Sequence, residues 1–79
     1  MADYKLILSH IAKALVDKPD EVVVLVVDED ETSVTLELSV APDDMGKVIG
    51  KHGKIAKAIR TVMKALANAD GKRVIVDIK

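Results

Sequence analysis

Apolar positions near the start of the chain follow the spacing of an amphipathic helix. From Asp3 to Val16 they fall on one face at helical periodicity. Asp3 is suited to cap the N-terminus of this helix, and Pro19 stands just beyond its expected end. The pattern therefore predicts a first helix over residues 3–16. Its buried face would consist of Tyr4, Ile7, Leu8, Ile11 and Leu15.

Two strands are predicted after this helix. Residues 21–27 form a β-branched run of strand length, and the acidic segment 28–31 predicts a turn. Beyond it, apolar and polar residues alternate over 33–40, which is typical of a strand with one buried face. We expect the two strands to form a hairpin. Residues 22–27 show no polar alternation, so some of these valines can stay uncovered. A partly exposed strand, cover by the first helix and a surface for a protein partner are the open interpretations.

The second half of the chain predicts two helices and a last strand. Carboxylates after the second strand can cap a short helix that ends near Ile49. An alanine-rich helix over 54–68 follows, and a turn leads to a strand over 72–78. This element order predicts an α+β fold, a two-layer α/β sandwich with helices on one face of a three-stranded sheet. The length suits a single domain spanning 1–79.

Charge is divided unevenly between the two halves of the chain. The net charge is −1, but residues 1–44 hold 3 Lys and 11 acids, whereas residues 45–79 hold 9 Lys or Arg and 2 Asp. The halves therefore carry −8 and +7 and are expected to meet different partners. No apolar run is long enough to span a membrane, and no secretory signal is visible, so we expect a cytoplasmic protein without a membrane partner.

The long predicted helix has an apolar face and a nearly opposite basic face at about 100° per residue. Residues 45–69 contain six basic residues and no acidic one, whereas a helix that is only solvated usually mixes both signs. The absence of acids indicates an anionic partner. The apolar face comprises Ile55, Ile59, Val62 and Leu66, and the basic face comprises Lys54, Lys57, Arg60 and Lys64.

Two glycines bound the loop between the last two predicted helices. Gly50 can end the first of these helices in a left-handed conformation, but this does not explain Gly53. Glycines at both ends let another backbone approach closely, and the next helix N-terminus offers N–H groups to phosphate. His52 is expected at the loop tip, where it can donate to a phosphate. The surrounding positive charge comes from Lys47, Lys51 and Lys54.

Residues 48–53, Val-Ile-Gly-Lys-His-Gly between two helices, resemble the V-I-G-x-x-G loop of KH domains. The element order is that of the type II KH arrangement, and essentially the whole chain is similar to the KhpA family of small bacterial stand-alone KH proteins. The resemblance implies a groove for about four unpaired nucleotides of single-stranded RNA, with the GxxG loop clamping the backbone above an aliphatic floor. The RNA-binding residues it implies are Lys47, Ile49, Gly50, Lys51, His52, Gly53, Lys54 and Lys57.

The same resemblance bears on the floor and on partners. Aliphatic contact suits a chain whose single aromatic residue is Tyr4. Ile49 and Ile55 are candidates for the floor, and plain core packing is an open alternative for Ile55. The family is also described as forming homodimers and pairing with a KhpB/Jag-type RNA-binding protein, in a post-transcriptional or RNA-chaperone role linked to cell elongation and division. Since the acidic segment 28–31 cannot hold phosphate, we expect weak RNA binding with a modest salt dependence, strengthened by dimerisation or a partner.

Other classes of function receive less support. Without cysteine, a P-loop or an H-E-x-x-H pattern, the sequence predicts no enzyme, no metal or cofactor and no small-molecule substrate. A helix-turn-helix DNA-binding protein is disfavoured by the flanking strands and by a basic helix poor in the residues that read base edges. Two alternatives stay open: single-stranded DNA in the same groove, and a protein-interaction module that keeps the fold with little RNA binding of its own.

Overall fold

The computed structural model describes residues 3–79. Three short 3-10 turns precede β1, α2 and α3. No helix in this part of the chain combines the length and hydrophobicity needed to cross a bilayer. The elements are α1 (Tyr4–Leu15), β1 (Val23–Glu29), β2 (Ser33–Ser39), α2 (Met45–Ile49), α3 (Lys54–Ala69) and β3 (Arg73–Ile78), and the turns are Pro19–Glu21, Pro42–Asp44 and Lys51–Gly53.

The strands form a three-stranded sheet in the order β1–β2–β3. Strand β1 is antiparallel to β2, which confirms the hairpin, and β2 is parallel to β3. Parallel neighbours require a crossover connection, and α2, the glycine loop and α3 supply it. Helix α1 contacts β1 and β2, while α3 contacts β3. The predicted α+β two-layer sandwich is therefore confirmed, with the glycine loop in the middle of the crossover.

Strand β1 begins and ends two residues later than predicted. Pro19 starts a 3-10 turn, and the Val22 N–H donates to the Pro19 carbonyl at 3.1 Å, which delays the extended backbone. At the other end, Asp28 and Glu29 still pair with β2, after a bulge between Val26 and Asp28. The predicted four-residue acidic turn is thus shortened to residues 30–32.

Asp30 closes this hairpin turn. Its Oδ1 accepts hydrogen bonds from the N–H groups of Thr32 and Ser33, both at 2.8 Å. These bonds, that of Thr32 above all, hold the pKa of Asp30 below its usual value. The carboxylate therefore acts locally as the acceptor that fixes the turn.

The core lies between the sheet and the helices α1 and α3. Alternate residues of β2 point into it, as the period-2 pattern predicts: Val34, Leu36 and Leu38 are buried. Helix α1 is capped as predicted, because the Leu6 N–H donates to Asp3 Oδ1 at 3.1 Å. The buried members from the helices are Tyr4, Leu8, Ala12, Ile59, Met63 and Ala67.

The core face of α3 differs from the predicted one. Of the four apolar residues assigned to that face, Ile59 is buried, but Ile55 and Val62 are 36% and 47% exposed. Alanine side chains let a helix lie close to a sheet. Alanines therefore share the core face of α3 with Ile59 and Met63, while Ile55 and Val62 fall on its flank. The apolar stripe of α3 is therefore wider than the core it covers. The buried residues of the helix are Ala56, Ile59, Met63 and Ala67.

The sequence predicted that carboxylates after β2 cap α2, but the side chain of Asp44 makes no capping hydrogen bond there. Its carboxylate is 2% exposed and accepts the N–H groups of Asp17 at 3.3 Å and Lys18 at 3.0 Å, just beyond α1. Burial acts to raise the pKa of Asp44, but these two hydrogen bonds and the charges of Lys47 and Lys18 outweigh it, and the net pKa is lowered. Asp44 therefore stays ionised and ties the start of α2 to the segment that follows α1.

Tyr4 links the start of α1 to the end of α3. Its ring is 6% exposed, and its hydroxyl donates to Asp70 Oδ2 at the end of α3. This hydrogen bond raises the pKa of Tyr4 to about 12, with smaller contributions from burial and from the Asp70 charge. The one aromatic ring of the chain is thus part of the core and offers no surface for base stacking.

The Tyr4 contact predicts an alkaline loss of stability. Since the phenol ionises less readily in the folded than in the unfolded chain, its contribution is fully present below about pH 10 and is lost as the pH rises towards about 12. Near-ultraviolet absorbance reports Tyr4 alone, so we expect a titration midpoint of about 12 in the native protein and about 10 in denaturant. Tyr4→Phe should remove this part of the alkaline pH dependence. Equal midpoints in both states would contradict the contact.

Candidate nucleic-acid interface

Helix α2 ends and α3 begins around a sharp turn at residues 50–53. The Gly50 N–H donates to the Gly46 carbonyl at 2.8 Å, and the Gly53 N–H donates to the Gly50 carbonyl at 3.1 Å. Three residues of the turn have positive φ: Gly50 (75°), His52 (58°) and Gly53 (73°). With ψ at 173°, Gly50 occupies a region that is essentially restricted to glycine. The turn therefore depends on its glycines for backbone conformation.

The two glycines of the motif have different surroundings. A Cβ atom on Gly50 would lie 2.5 Å from Ile55 Cγ1, so the Ile55 side chain occupies the space that this glycine leaves. A Cβ atom on Gly53 would meet nothing within 4 Å. Gly50 thus makes room for packing within the protein, while the backbone at Gly53 is open to an approaching molecule.

The open side of the turn coincides with the N-terminus of α3. Gly53 is the N-cap residue, and no side chain makes a capping hydrogen bond there. The Lys54 N–H donates to the Lys51 carbonyl, and the N–H groups that follow it lie in the first turn of this 16-residue helix, at the positive end of its dipole. Lys51 and His52 are exposed beside them. This combination suits an anionic oxygen such as that of a phosphate.

Lysines near the turn fall into two groups. Lys51, Lys54 and Lys57 are exposed and form no ion pair within residues 3–79. Lys47 differs, because its Nζ pairs with Asp17 and lies 3.7 Å from Asp44 Oδ1.

The hydrogen bond that Lys47 donates to the Asp17 carboxylate is the main reason why the pKa of Lys47 is raised, and burial opposes the rise. The sequence predicted that Lys47 faces phosphate together with the other lysines. In the structure its positive charge is paired with the carboxylates of Asp17 and Asp44. Asp17 lies 30 positions earlier, beyond the reach of any local pattern.

Arg60 lies farther along the basic face of α3. Its Nε donates to the Val76 carbonyl of β3 at 3.0 Å, which fixes the guanidinium at the edge of the sheet. The sequence predicts Arg60 on the basic face, but the family resemblance does not place it among the RNA-binding residues. Its position beside β3 indicates that the positive surface extends from the turn towards that edge strand.

Aliphatic side chains accompany the turn. Ile49 is half-buried, and Ile55 is 36% exposed, so Ile55 is not a core residue. Ile55 also borders an open, largely apolar depression of about 420 Å³ between α1 and α3. The other apolar residues of this depression are Ile11, Leu15, Ala58, Ile59 and Val62.

The chemistry of the turn is that of binding. Within residues 3–79, no group of three or more His, Asp or Glu side chains is placed to hold a metal ion. The turn combines the positive end of the α3 dipole with exposed lysines and aliphatic surface. These features can hold an extended anionic chain with its phosphates at Gly53 and its less polar parts against Ile49 and Ile55.

Comparison with known proteins gives a consistent result over almost the whole chain. The family model "KhpA/KhpB, KH domain" matches residues 5–78. The RNA-binding protein KhpA of Clostridium acetobutylicum is 64% identical over 74 residues, covering 94% of this chain and 97% of that protein. The KhpA proteins of Clostridium perfringens and Caldanaerobacter subterraneus are 58% identical over 74 residues and 57% identical over 72 residues. These two alignments cover 94% and 91% of this chain, and 97% and 95% of the respective relatives.

Proposed function

The chain belongs to the KhpA/KhpB family of KH domains, and from this premise we propose that it binds single-stranded RNA through the turn between α2 and α3. The relatives described above are named RNA-binding proteins, and the family is not one of enzymes. The observation that carries the proposal is the open backbone at Gly53, which coincides with the uncapped N-terminus of α3. Lysines that are exposed and form no ion pair within residues 3–79 lie near this N-terminus.

In the proposed mode, one RNA phosphate approaches the backbone at Gly53. N–H groups after Lys54 in the first turn of α3 donate to its oxygens, while Lys51 and Lys54 supply positive charge. His52, at the exposed tip, donates to a neighbouring phosphate. Unpaired bases rest on Ile49 and Ile55. Lys47 acts indirectly by holding α2 against the end of α1.

We expect RNA binding to be weak and moderately dependent on salt. Three lysines, at positions 51, 54 and 57, are exposed and without ion pairs in the described chain, and the hairpin turn of β1 and β2 is acidic. Three phosphate contacts on a single strand correspond to a slope of log K against log salt of about −2. Duplex RNA should bind more weakly, since the turn requires splayed, unstacked nucleotides.

Fluorescence anisotropy of a labelled oligonucleotide tests this prediction. The same sequence is titrated as single-stranded RNA, as duplex RNA and as single-stranded DNA, each at two salt concentrations. Preferential binding of single-stranded RNA supports the proposal. Equal affinity for DNA would assign the groove to single strands in general, and binding of none of them would favour the protein-interaction alternative.

We also propose that two copies associate through the apolar depression between α1 and α3. Its lining contains a single charged residue, Lys54, so two such surfaces can meet with little repulsion. Val62 is 47% exposed there and Leu15 is 37% exposed, which leaves apolar area for a second copy to cover. The depression begins beside the GxxG turn at Ile55. Dimerisation would therefore hold two turns together and raise the affinity for one RNA strand.

Val62→Lys is expected to weaken this dimer by at least about tenfold, because it places a charge in the apolar contact without touching the core. Light scattering during size-exclusion chromatography should then report a mass near 8.5 kDa instead of about twice that value. Thr61→Lys is the charge-matched control, since Thr61 is exposed on α3 outside the depression. Dissociation by both variants, or by neither, would contradict this surface.

The cellular role and the protein partner are proposed from the family resemblance. We infer a cytoplasmic post-transcriptional regulator or RNA chaperone, acting with a KhpB/Jag-type RNA-binding partner in processes linked to cell elongation and division. A partner with its own RNA site would raise the affinity of the complex for RNA above that of a single turn. Once one site has bound the RNA, binding at the second site is intramolecular.

A further inference from the structure

Strand β1 has one free edge. It pairs with β2 on one side, and its other side makes no backbone hydrogen bond to any other element within residues 3–79. Residues 23–27 of this edge strand are all apolar, and Val23, Leu25 and Val27 are 46%, 48% and 51% exposed. An exposed, apolar edge strand of this length is a template for pairing with another extended chain.

A groove follows this free edge between α1 and β1. It contains two open depressions, of about 410 Å³ and about 210 Å³, and both are bordered by Asp3 and Lys5 at the start of α1. Val22 and Val24 line the larger depression, and Val26 and Glu29 line the smaller one, which extends from β1 over Val34 and Leu36 of β2 to Lys72.

On the helix side, Leu6 lines the larger depression and is 51% exposed. A strand added to β1 places every second side chain on the helical side of the sheet, about 7 Å apart. The groove therefore fits the side chains of an added strand.

The charged residues that flank β1 indicate which kind of chain can pair with its free edge. Lys5 borders both depressions and Lys72 borders the smaller one. Residues 20–31, in contrast, contain six acids and no basic residue, and these acids stand at both ends of the apolar run. The run Val-Val-Leu-Val-Val reads the same in both directions, so a second copy could match its apolar residues. Such self-pairing would, however, bring the acids at the ends of both copies together, and like charges opposite each other destabilise a sheet. A segment with basic ends meets no such repulsion.

We propose that the β1 edge binds an extended segment of a partner protein by strand addition. The segment has apolar residues at alternate positions, which enter the groove between α1 and β1, and Lys or Arg at its ends, which face the acids flanking β1. The GxxG turn belongs to the crossover that leads to β3, at the opposite edge of the sheet. The two surfaces are separate, so the inference does not depend on the proposed RNA binding.

Synthetic peptides provide the test. The probe is a fluorescein-labelled peptide of sequence Lys-Lys-Val-Thr-Val-Thr-Val-Lys-Lys. One control has glutamate in place of the four terminal lysines, and another has proline in place of the central valine. We expect each control to bind at least about tenfold more weakly, because the first removes the charge match and the second removes a main-chain donor. High salt should narrow the difference between the lysine and glutamate peptides.

A variant of the protein locates the contact. Leu6→Arg places a cation in the groove at an exposed position and should weaken binding of the lysine peptide at least about tenfold, with RNA binding unchanged. Ala14→Arg is the matched control, since Ala14 is exposed on α1 and lines neither depression. Amide chemical shifts should change along residues 22–29 when the lysine peptide is added.

Several outcomes would overturn the proposal. They are equal binding of the lysine and glutamate peptides, no binding by the folded protein at millimolar peptide, and shift changes centred on residues 50–57. Concentration-dependent protection of the β1 amides in the absence of peptide would show that a second copy occupies the edge, and would also overturn it.

Discussion

The double variant Lys51→Asp, His52→Asp is expected to lower the affinity for single-stranded RNA by about a hundredfold. Both side chains are exposed at the tip of the turn, beside the uncapped N-terminus of α3. The variant replaces one positive and one titratable group with two negative ones, at the point where phosphate is proposed to bind. Each lost or repelled contact costs about a factor of ten, which is about 1.4 kcal/mol. Fluorescence anisotropy at low salt measures the change.

The fold should survive this substitution, because aspartate tolerates the left-handed conformation of residue 52. Circular dichroism checks that it does. The matched control is His10→Asp, Lys13→Asp, which makes the same chemical changes at two exposed positions of α1. If the two double variants weaken RNA binding equally, net charge governs the interaction, and the turn is not the site.

Gly50→Ala is expected to destabilise the protein by about 2–6 kcal/mol, a large share of the stability of a chain this small. Two costs add. The backbone of Gly50, with φ at 75° and ψ at 173°, is costly for any residue with a Cβ, by about 1–3 kcal/mol. The new Cβ would also lie 2.5 Å from Ile55 Cγ1, and forcing such atoms apart costs about 1–3 kcal/mol more. Urea unfolding followed by circular dichroism measures the loss.

Other glycines of the chain serve as controls for Gly50. Gly46 lies within α2 with open space at its Cβ position, so Gly46→Ala should be neutral or stabilising by about 0.5–1 kcal/mol. Gly71 has a positive φ but open space, and its replacement should cost about 1 kcal/mol. Adding Ile55→Ala to Gly50→Ala should recover part of the loss through coupling of about 0.5 kcal/mol or more. Equal effects at Gly50 and Gly46 would contradict the packing of Ile55 over the turn.

Elements governed by local chemistry were predictable from the sequence. The periodicity of residues 3–16, with Asp3 as cap and Pro19 as stop, locates α1 to within a residue. The alternation of β2 identifies its buried residues correctly, and the exposed valines of β1 follow from the lack of alternation there. Each of these signals depends on neighbours within one turn or one strand, so a single sequence carries them.

The remaining features depend on contacts between distant parts of the chain. Asp44 meets N–H groups 26 and 27 positions earlier, and Lys47 meets Asp17, so neither role shows in the surrounding residues. The apolar stripe of α3 is visible from the sequence. Which part of this stripe packs on the sheet depends on the close approach that the alanines of the helix allow. This leaves Val62 on the surface, although the sequence had assigned it to the packed face, and it leaves Ile55 on the surface as well, where core packing had been one of two open interpretations.

Amide chemical-shift mapping with a short single-stranded RNA tests the central claim most directly. The isotope-labelled protein is titrated with oligouridylate at low salt, and the shift of every assigned amide is followed. We expect the largest changes at residues 50–57, covering the turn and the first part of α3, with residues 22–29 of the opposite edge unaffected. Changes that spread over the basic face of α3 but leave Gly50 and Gly53 in place, or that centre on β1, would contradict RNA binding at the GxxG turn.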